Sequence, residues 1–479
     1  MGLMSSVALL LLLLYCTATV FVLQIPSAAA AGTADGSEEW GYVQVRPKAH
    51  MFWWLYRSPQ RVKNRPWPTV LWLQGGPGAS GVGYGNFMEI GPLDSELKPR
   101  ASTWLSKADL LFVDNPVGTG FSYVDGNDRT ALASTDAEAA TDLTTLLCHL
   151  YRSSSGGGKT RLQAGSPLYI VAESYGGKFA VTTALAALKA IHAGLLAANL
   201  AGVALGNSWI SPEDSVLSWG PLLYQVSRVD ENGLTRCDRQ AQQITTLLKA
   251  KQFVEAERTW QDLESTVAGE SNSVNFYNFL KDESLAASAA ADLELGIMEL
   301  KQRQRSLALA SLGQSRRRYS SYLSSMVTKE GGFEGIMNTL IRDKLKIIPK
   351  NVTWREQSDD VFEALAGDFM KPRINEVDEL LNLGVNVTIY SGQLDLICAT
   401  KGTLDWVQKL KWDGLKNFTS KPRLPLYCNG GEAVGTQAFL KSYKNLKFYW
   451  ILEAGHMVPI DNPCPALKMI GDITQSPAQ

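Results

Sequence analysis

The residues here with the most chemical potential stand in PLYIVAESYGG, positions 167–177, where an apolar run ends in a glutamate, a serine, a tyrosine and two glycines. The run 168–171 predicts a buried strand and 178–197 a helix, so Ser174 falls on the turn between them. Ala172 and Gly176, two residues to either side, are small, as a sharp turn that lifts a hydroxyl above a sheet requires. A serine hydroxyl is a poor nucleophile near neutral pH unless an imidazole takes its proton and a carboxylate holds that imidazole. The chain has only 4 His: His50, His149, His192 and His456. His149 and His192 lie in helical patterns and His50 in a hairpin pattern, which reads them as packing or surface residues. His456 follows a strand pattern and a glycine, and Asp395 ends another strand pattern; Asp405 falls in the next helix and is the weaker choice. The backbone N–H groups that an oxyanion needs are available from Tyr175 and from Gly76, in the Gly75-Gly76 loop.

The elements that must position these groups alternate. Residues 40–57 read as two antiparallel strands, 69–73 as a buried strand entering Gln74-Gly75-Gly76-Pro77-Gly78, and 110–113 as another ending in Asp114. A helix over 136–151, a linker at 153–158, the Ser174 unit and a strand at 202–205 follow. Such alternation, with glycine-rich loops at the strands' C-terminal ends, predicts an α/β fold with a mostly parallel sheet covered on both faces. The chain order Ser174, Asp395, His456 specifies the α/β-hydrolase arrangement within that class. From Pro212 the texture turns helical, with helices expected over 237–254, 276–280, 285–309 and 335–344. The expected organisation is a signal peptide at 1–31, a first core part at 32–211, a helical cap insertion at 212–350 and a second core part at 351–479. The run 315–318 reads as a solvated loop, with an exposed processing site as the alternative.

Composition narrows the function classes. With 46 Lys+Arg against 47 Asp+Glu, net charge is -1, which gives no electrostatic case for nucleic acid. The apolar block at 7–14 and the small residues at 27–31 predict a cleaved signal peptide, hence the secretory pathway, secreted or lysosomal, with no membrane association after cleavage. Sequons at Asn351, Asn386 and Asn417 are the expected glycosylation sites. After loss of Cys16 the odd set Cys148, Cys237, Cys398, Cys428 and Cys464 leaves at least one free thiol. No cysteine or histidine cluster suggests a metal, and no cofactor is expected; the oligomeric state is open, a homodimer included.

Five ordered segments carry a resemblance: LWLQGGPGAS at 71–80, LLFVDNPVGTGFSY at 110–123, VAESYGG at 171–177, YSGQLDLIC at 390–398 and AGHMVPIDNP at 454–463. Together they resemble the serine carboxypeptidase family, its retinoid-inducible branch most of all. The resemblance spans nearly all the chain after the signal peptide and is thinnest at 212–348. It implies removal of C-terminal residues from peptides or proteins, with Glu173, Gln74 and Glu89 holding the substrate's terminal carboxylate beside Trp72. Gln74 stands where the family has asparagine, Ala79 where many members have a disulfide cysteine, and Ala172 where glycine is usual. Cys398 matches a position where some members carry a free cysteine, which leaves Cys148, Cys237, Cys428 and Cys464 to pair in one of three ways. Two carboxyl groups share a hydrogen bond only if one is protonated, so an acid optimum is expected. The alternatives are a weak or inactive binding protein and an acyltransferase with the same three residues.

Overall fold

Strands that are apolar on both faces end up in the middle of a sheet, because only there can every side chain be covered. The computed structural model describes residues 30–62, 65–152, 161–283, 332–428 and 435–477. In chain order its strands are β1 (Ala31–Gly32), β2 (Glu38–Arg46), β3 (Ala49–Tyr56), β4 (Thr69–Leu73), β5 (Asp109–Val113), β6 (Tyr123–Val124), β7 (Pro167–Glu173), β8 (Asn199–Gly206), β9 (Asn386–Gly392), β10 (Leu424–Leu426), β11 (Ala438–Tyr443) and β12 (Leu446–Ile451). They form one sheet in the order β1-β2-β3-β5-β4-β7-β8-β9-β12-β11-β10, with β6 on β3. The stretch from β5 to β12 is parallel, and the strands outside it pair antiparallel. This is the α/β-hydrolase fold, with a mixed, largely parallel sheet.

The strand order reverses at β4: the chain runs from β4 to β5 on one side, then crosses back through the helix Asp136–Tyr151 to β7 on the other. A crevice opens at the C-terminal ends of strands where the order reverses. The loop after β4 and the turn after β7 therefore meet at that point.

The helix after the serine runs Gly176–His192 and is shorter than expected, because the chain leaves it through Gly194 in the left-handed region (φ 69°). In the insertion, Pro212–Gln225, Glu231–Lys249 and Phe253–Ser271 are helical. The expected helix 237–254 is two helices, broken where Lys251 takes φ 59°. The region 276–280 is a pair of turns, capped by Asn275, whose side chain accepts from the N–H groups of Tyr277 and Asn278 at 2.9 and 2.8 Å. The segment 335–344 is helical within 332–345. The expected signal peptide through residue 29, the linker 153–158, the helix 285–309 and the basic run 315–318 lie outside the described residues.

Of the four cysteines left to pair, Cys428 and Cys464 form a disulfide, whereas Cys148 and Cys237 are free. The two sit in separate helices, and burial raises the pKa of both thiols, Cys237 to about 11. Among the described residues no helix is long and apolar enough to cross a membrane.

Candidate active site

Ser174 holds φ 61°, in the left-handed region that a non-glycine residue adopts only when its surroundings compel it. Its N–H donates to Gly206 O at 3.1 Å and its carbonyl accepts from Trp209 N at 2.9 Å, which ties the turn to the end of β8. The loop after β4 interlocks with it. A Cβ on Gly75 would lie 2.5 Å from Ser174 Cβ and 2.9 Å from Tyr175 N, and one on Gly176 would lie 2.2 Å from Leu73 O. Only glycine fits at either position. Gly76 itself holds φ 105°, which other residues rarely adopt.

A distant segment pins this loop. Ser80 N donates to Glu356 O at 3.1 Å, Ser358 N to Gly78 O at 2.9 Å, and Gln357 Nε2 to Pro77 O at 2.6 Å. Nothing in the sequence pattern marks residues 356–358 for that work. The loop after β5 is organised by Asp114, which accepts from Val82 N at 3.1 Å and Phe121 N at 2.7 Å.

Asp395 and His456 are brought together from the ends of β9 and β12. His456 Nδ1 lies 2.9 Å from Asp395 Oδ2, and both side chains are fully buried. Burial holds the Asp395 carboxyl above the usual range while His456 pulls it back down. The His456 loop is held by Asn207, whose Nδ2 donates to His456 O at 2.6 Å and Gly455 O at 2.9 Å, and whose Oδ1 accepts from Gly392 N at 2.7 Å. One amide thus ties the ends of β8, β9 and β12, a role visible only once the strands are neighbours. His456 N also donates to Tyr277 O at 2.8 Å, and the two rings meet edge-on at 5.1 Å. His456 Nε2 is buried and makes no hydrogen bond among the described residues, so Ser174 Oγ does not reach it here. Such pairs commonly tighten only around substrate.

The Cys398, Asp395 and His456 donor atoms all lie within 4.8 Å of one another. Burial, with the Asp395 charge beside it, keeps the Cys398 thiol protonated, so it is a poor metal ligand there. Asp405 is turned to Lys401 at 2.6 Å, and His50 stacks on Tyr123; neither belongs to the site.

A second cluster lies against Ser174. Gln74 Nε2 donates to Glu89 Oε1 at 3.0 Å and to Glu173 Oε1 at 3.1 Å, while Gln74 Oε1 accepts from Trp72 Nε1 at 2.7 Å. The glutamine's extra methylene still reaches both carboxyls. Glu89 arrives on the helical turn Gly81–Ile90, which packs with all its residues buried. Burial raises both carboxyl pKa values, and the two groups act on each other in opposite senses: Glu173 lowers that of Glu89, whereas Glu89 raises that of Glu173. A proton is therefore retained on the carboxyl pair above the usual carboxylate range.

A serine turn open to a cleft, an acid–imidazole pair and an adjacent carboxyl pair together suit acyl chemistry on a substrate ending in a carboxylate. The sequence profile of the serine carboxypeptidase family matches residues 26–476. The chain belongs to the serine carboxypeptidase family. This carboxypeptidase is 53% identical over 453 residues to serine carboxypeptidase-like 51 of Arabidopsis thaliana, covering 93% of each chain. It is 46% identical over 449 residues to the human retinoid-inducible serine carboxypeptidase, covering 92% of each. The crystal structure of the prohormone-processing carboxypeptidase Kex1 from Saccharomyces cerevisiae superposes with a TM-score of 0.69 at 22% identity, covering 94% of this chain and 95% of that one, which shows the common fold. The carboxypeptidase carries Asn351, Asn386 and Asn417 on exposed surface.

Proposed function

We propose that this carboxypeptidase releases C-terminal residues from peptides through an acyl-enzyme. Ser174 Oγ attacks the last peptide carbonyl, and His456 takes its proton and returns it to the leaving amine. Asp395 orients His456 through Nδ1, and the amides of Gly76 and Tyr175 receive the oxyanion. Glu173, Gln74 and Glu89 bind the free carboxylate, with Trp72 fixing the Gln74 amide. One observation carries this reading: the carboxyl pair joined by Gln74 includes Glu173, the residue directly before the serine. A protonated Glu173 donates to a substrate carboxylate, whereas an ionised one repels it, so activity falls as pH rises through that ionisation. Exposed sequons and a disulfide support a secretory route for the chain.

Nα-blocked dipeptides at about pH 5, where such a pair keeps a proton, should release their last amino acid. Ser174→Ala should lower kcat by about 10⁴-fold or more and abolish labelling by a fluorophosphonate. Absence of both release and labelling in the purified wild type sinks the proposal. Transfer of the acyl group to an added alcohol or amine in preference to water would make the protein an acyltransferase instead.

A further inference from the structure

The turns at 275–280 belong to the helical insertion, yet they stand between the two loops that carry the acid and the imidazole. Toward the Asp395 loop, Phe276 O accepts from Leu396 N at 3.1 Å and from Ile397 N at 3.0 Å, and Phe279 N donates to Leu394 O at 3.0 Å. Toward the other loop, Tyr277 O accepts from His456 N, and it approaches so closely that a Cβ on Gly455 would lie 2.2 Å from it. Both backbone polar groups of His456 are therefore met, the carbonyl by Asn207 from the sheet and the N–H by the insertion. The turns are themselves anchored. Val274 N donates to Ser271 Oγ at 3.1 Å, Asn275 N to Lys281 O at 3.0 Å and Glu283 N to Ser273 O at 2.8 Å, and the Phe276 ring meets Trp219 edge-on at 5.1 Å.

One side-chain oxygen sets the direction of both carbonyls. Asn275 Oδ1 accepts from Tyr277 N and from Asn278 N. A trans peptide holds its N–H and C=O on opposite sides, and neither of these two peptide bonds is cis. With the Tyr277 N–H turned to Asn275, the Phe276 carbonyl points the other way, to the Asp395 loop. With the Asn278 N–H turned to the same oxygen, the Tyr277 carbonyl points the other way too, to His456. Asn275 is 5% exposed, and its Nδ2 donates to Glu283 Oε1 at 3.1 Å, which keeps the oxygen end of the amide on the turn. An asparagine that caps a turn in this way is ordinarily a local device. Here the acceptors it orients are taken by the loops of Asp395 and His456, whose side chains stand 2.9 Å apart. Catalytic groups must be held to within about 0.5 Å of their productive geometry.

We propose that Asn275 is a positioning residue for the Asp395–His456 pair, acting through the Phe276 and Tyr277 carbonyls. The step it serves rests on the acyl chemistry proposed above; the positioning does not. In Asn275→Ala, with a thermal midpoint above the assay temperature, the rate of fluorophosphonate labelling should fall about tenfold or more. The kcat for a blocked dipeptide should fall with it, while KM stays within about twofold. Asn275→Asp combined with Glu283→Gln keeps the acceptor oxygen on the turn and exchanges donor and acceptor between the two side chains. It should recover labelling to within about threefold of the wild type. If Asn275→Ala melts below the assay temperature, Asn275→Ser takes its place, and its shorter, weaker acceptor should cost about threefold or more in labelling. In Ser174→Ala the proton between His456 Nδ1 and Asp395 should give a far-downfield NMR signal, and adding Asn275→Ala should displace it. A folded variant that labels within about twofold of the wild type, a loss that the double variant does not recover, or an unmoved downfield signal overturns the proposal. Labelling that depends on Asn275, with no amino acid released from any dipeptide, supports the positioning and overturns the carboxypeptidase reaction.

Discussion

On one side of Ser174, Glu173 and Glu89 are buried with a glutamine between them and, among the described residues, no cation paired with either. On the other, Asp136 and Asp368 are buried against Lys178 and Arg373. Tyr175 Oη donates to Asp136 Oδ1 at 2.7 Å, Arg373 Nε to Asp136 Oδ2 at 2.8 Å, and Asp136 N to Asp368 Oδ2 at 2.8 Å. Lys178 Nζ stands 3.5 Å from Asp136 Oδ2. Both clusters hold residues next to Ser174, yet the second balances its charge with ion pairs and the first by retaining a proton. The balanced cluster holds the ring of Tyr175 and with it the turn. The first cluster keeps a hydrogen-bond donor, because burial raises both carboxyl pKa values and a proton stays on the pair. A donor held beside Ser174 suits the carboxylate recognition proposed above, whereas the ion-paired cluster is complete in itself.

Breaking the balanced cluster should cost most. Asp136→Ala takes from Lys178 and Arg373 the buried carboxylate they share, leaving Arg373 on Asp368 and Glu376, and urea unfolding should report a loss of about 3–5 kcal/mol. A loss below about 1 kcal/mol would mean the cluster braces nothing. Glu173→Gln keeps a donor toward Glu89 but removes the titration. Because the folded pKa of Glu173 is raised, its contribution to stability is full below the ordinary carboxylate range and is lost as pH rises toward the folded pKa. Wild-type stability should therefore fall by up to about 1.4 kcal/mol per pH unit from near pH 5 upward, with a shallower slope in Glu173→Gln. Peptide release should drop in this variant by about 10–100-fold and lose the alkaline limb that Glu173 imposes. The smallest effect has the opposite sign. Burial pushes Lys178 down to about 8 from 10.5, so its burial cost is relieved as pH rises through that window. Stability of the wild type relative to Lys178→Met should grow by about 1 kcal/mol between pH 8 and 9, and parallel profiles would assign Lys178 no titration there.

Much of the centre was legible because it is local. The strands β4, β5 and β7, the helix Asp136–Tyr151 and the turn at Ser174 follow from runs of apolar residues ended by small ones. The helix Phe253–Ser271 was missed for a physical reason: its buried face carries Glu257, Gln261 and Glu264, so the apolar period that betrays a helix is diluted. Of the four cysteines expected to pair in one of three ways, only Cys428 and Cys464 do, because cysteine count says nothing about which helices face each other.

By itself the sequence determined which residues could react, since residue type and chain order carry the strand ends, the glycines and the acid next to the serine. Only the tertiary structure decided how those residues are held. Asn207 clasping the His456 loop, residues 356–358 pinning the loop after β4, and Glu89 reaching Glu173 through Gln74 all join positions far apart in the chain. Hydrogen-bond partners and burial set the protonation of a carboxyl, and both come into being only when the strand order at β4 and β7 brings those segments into one crevice.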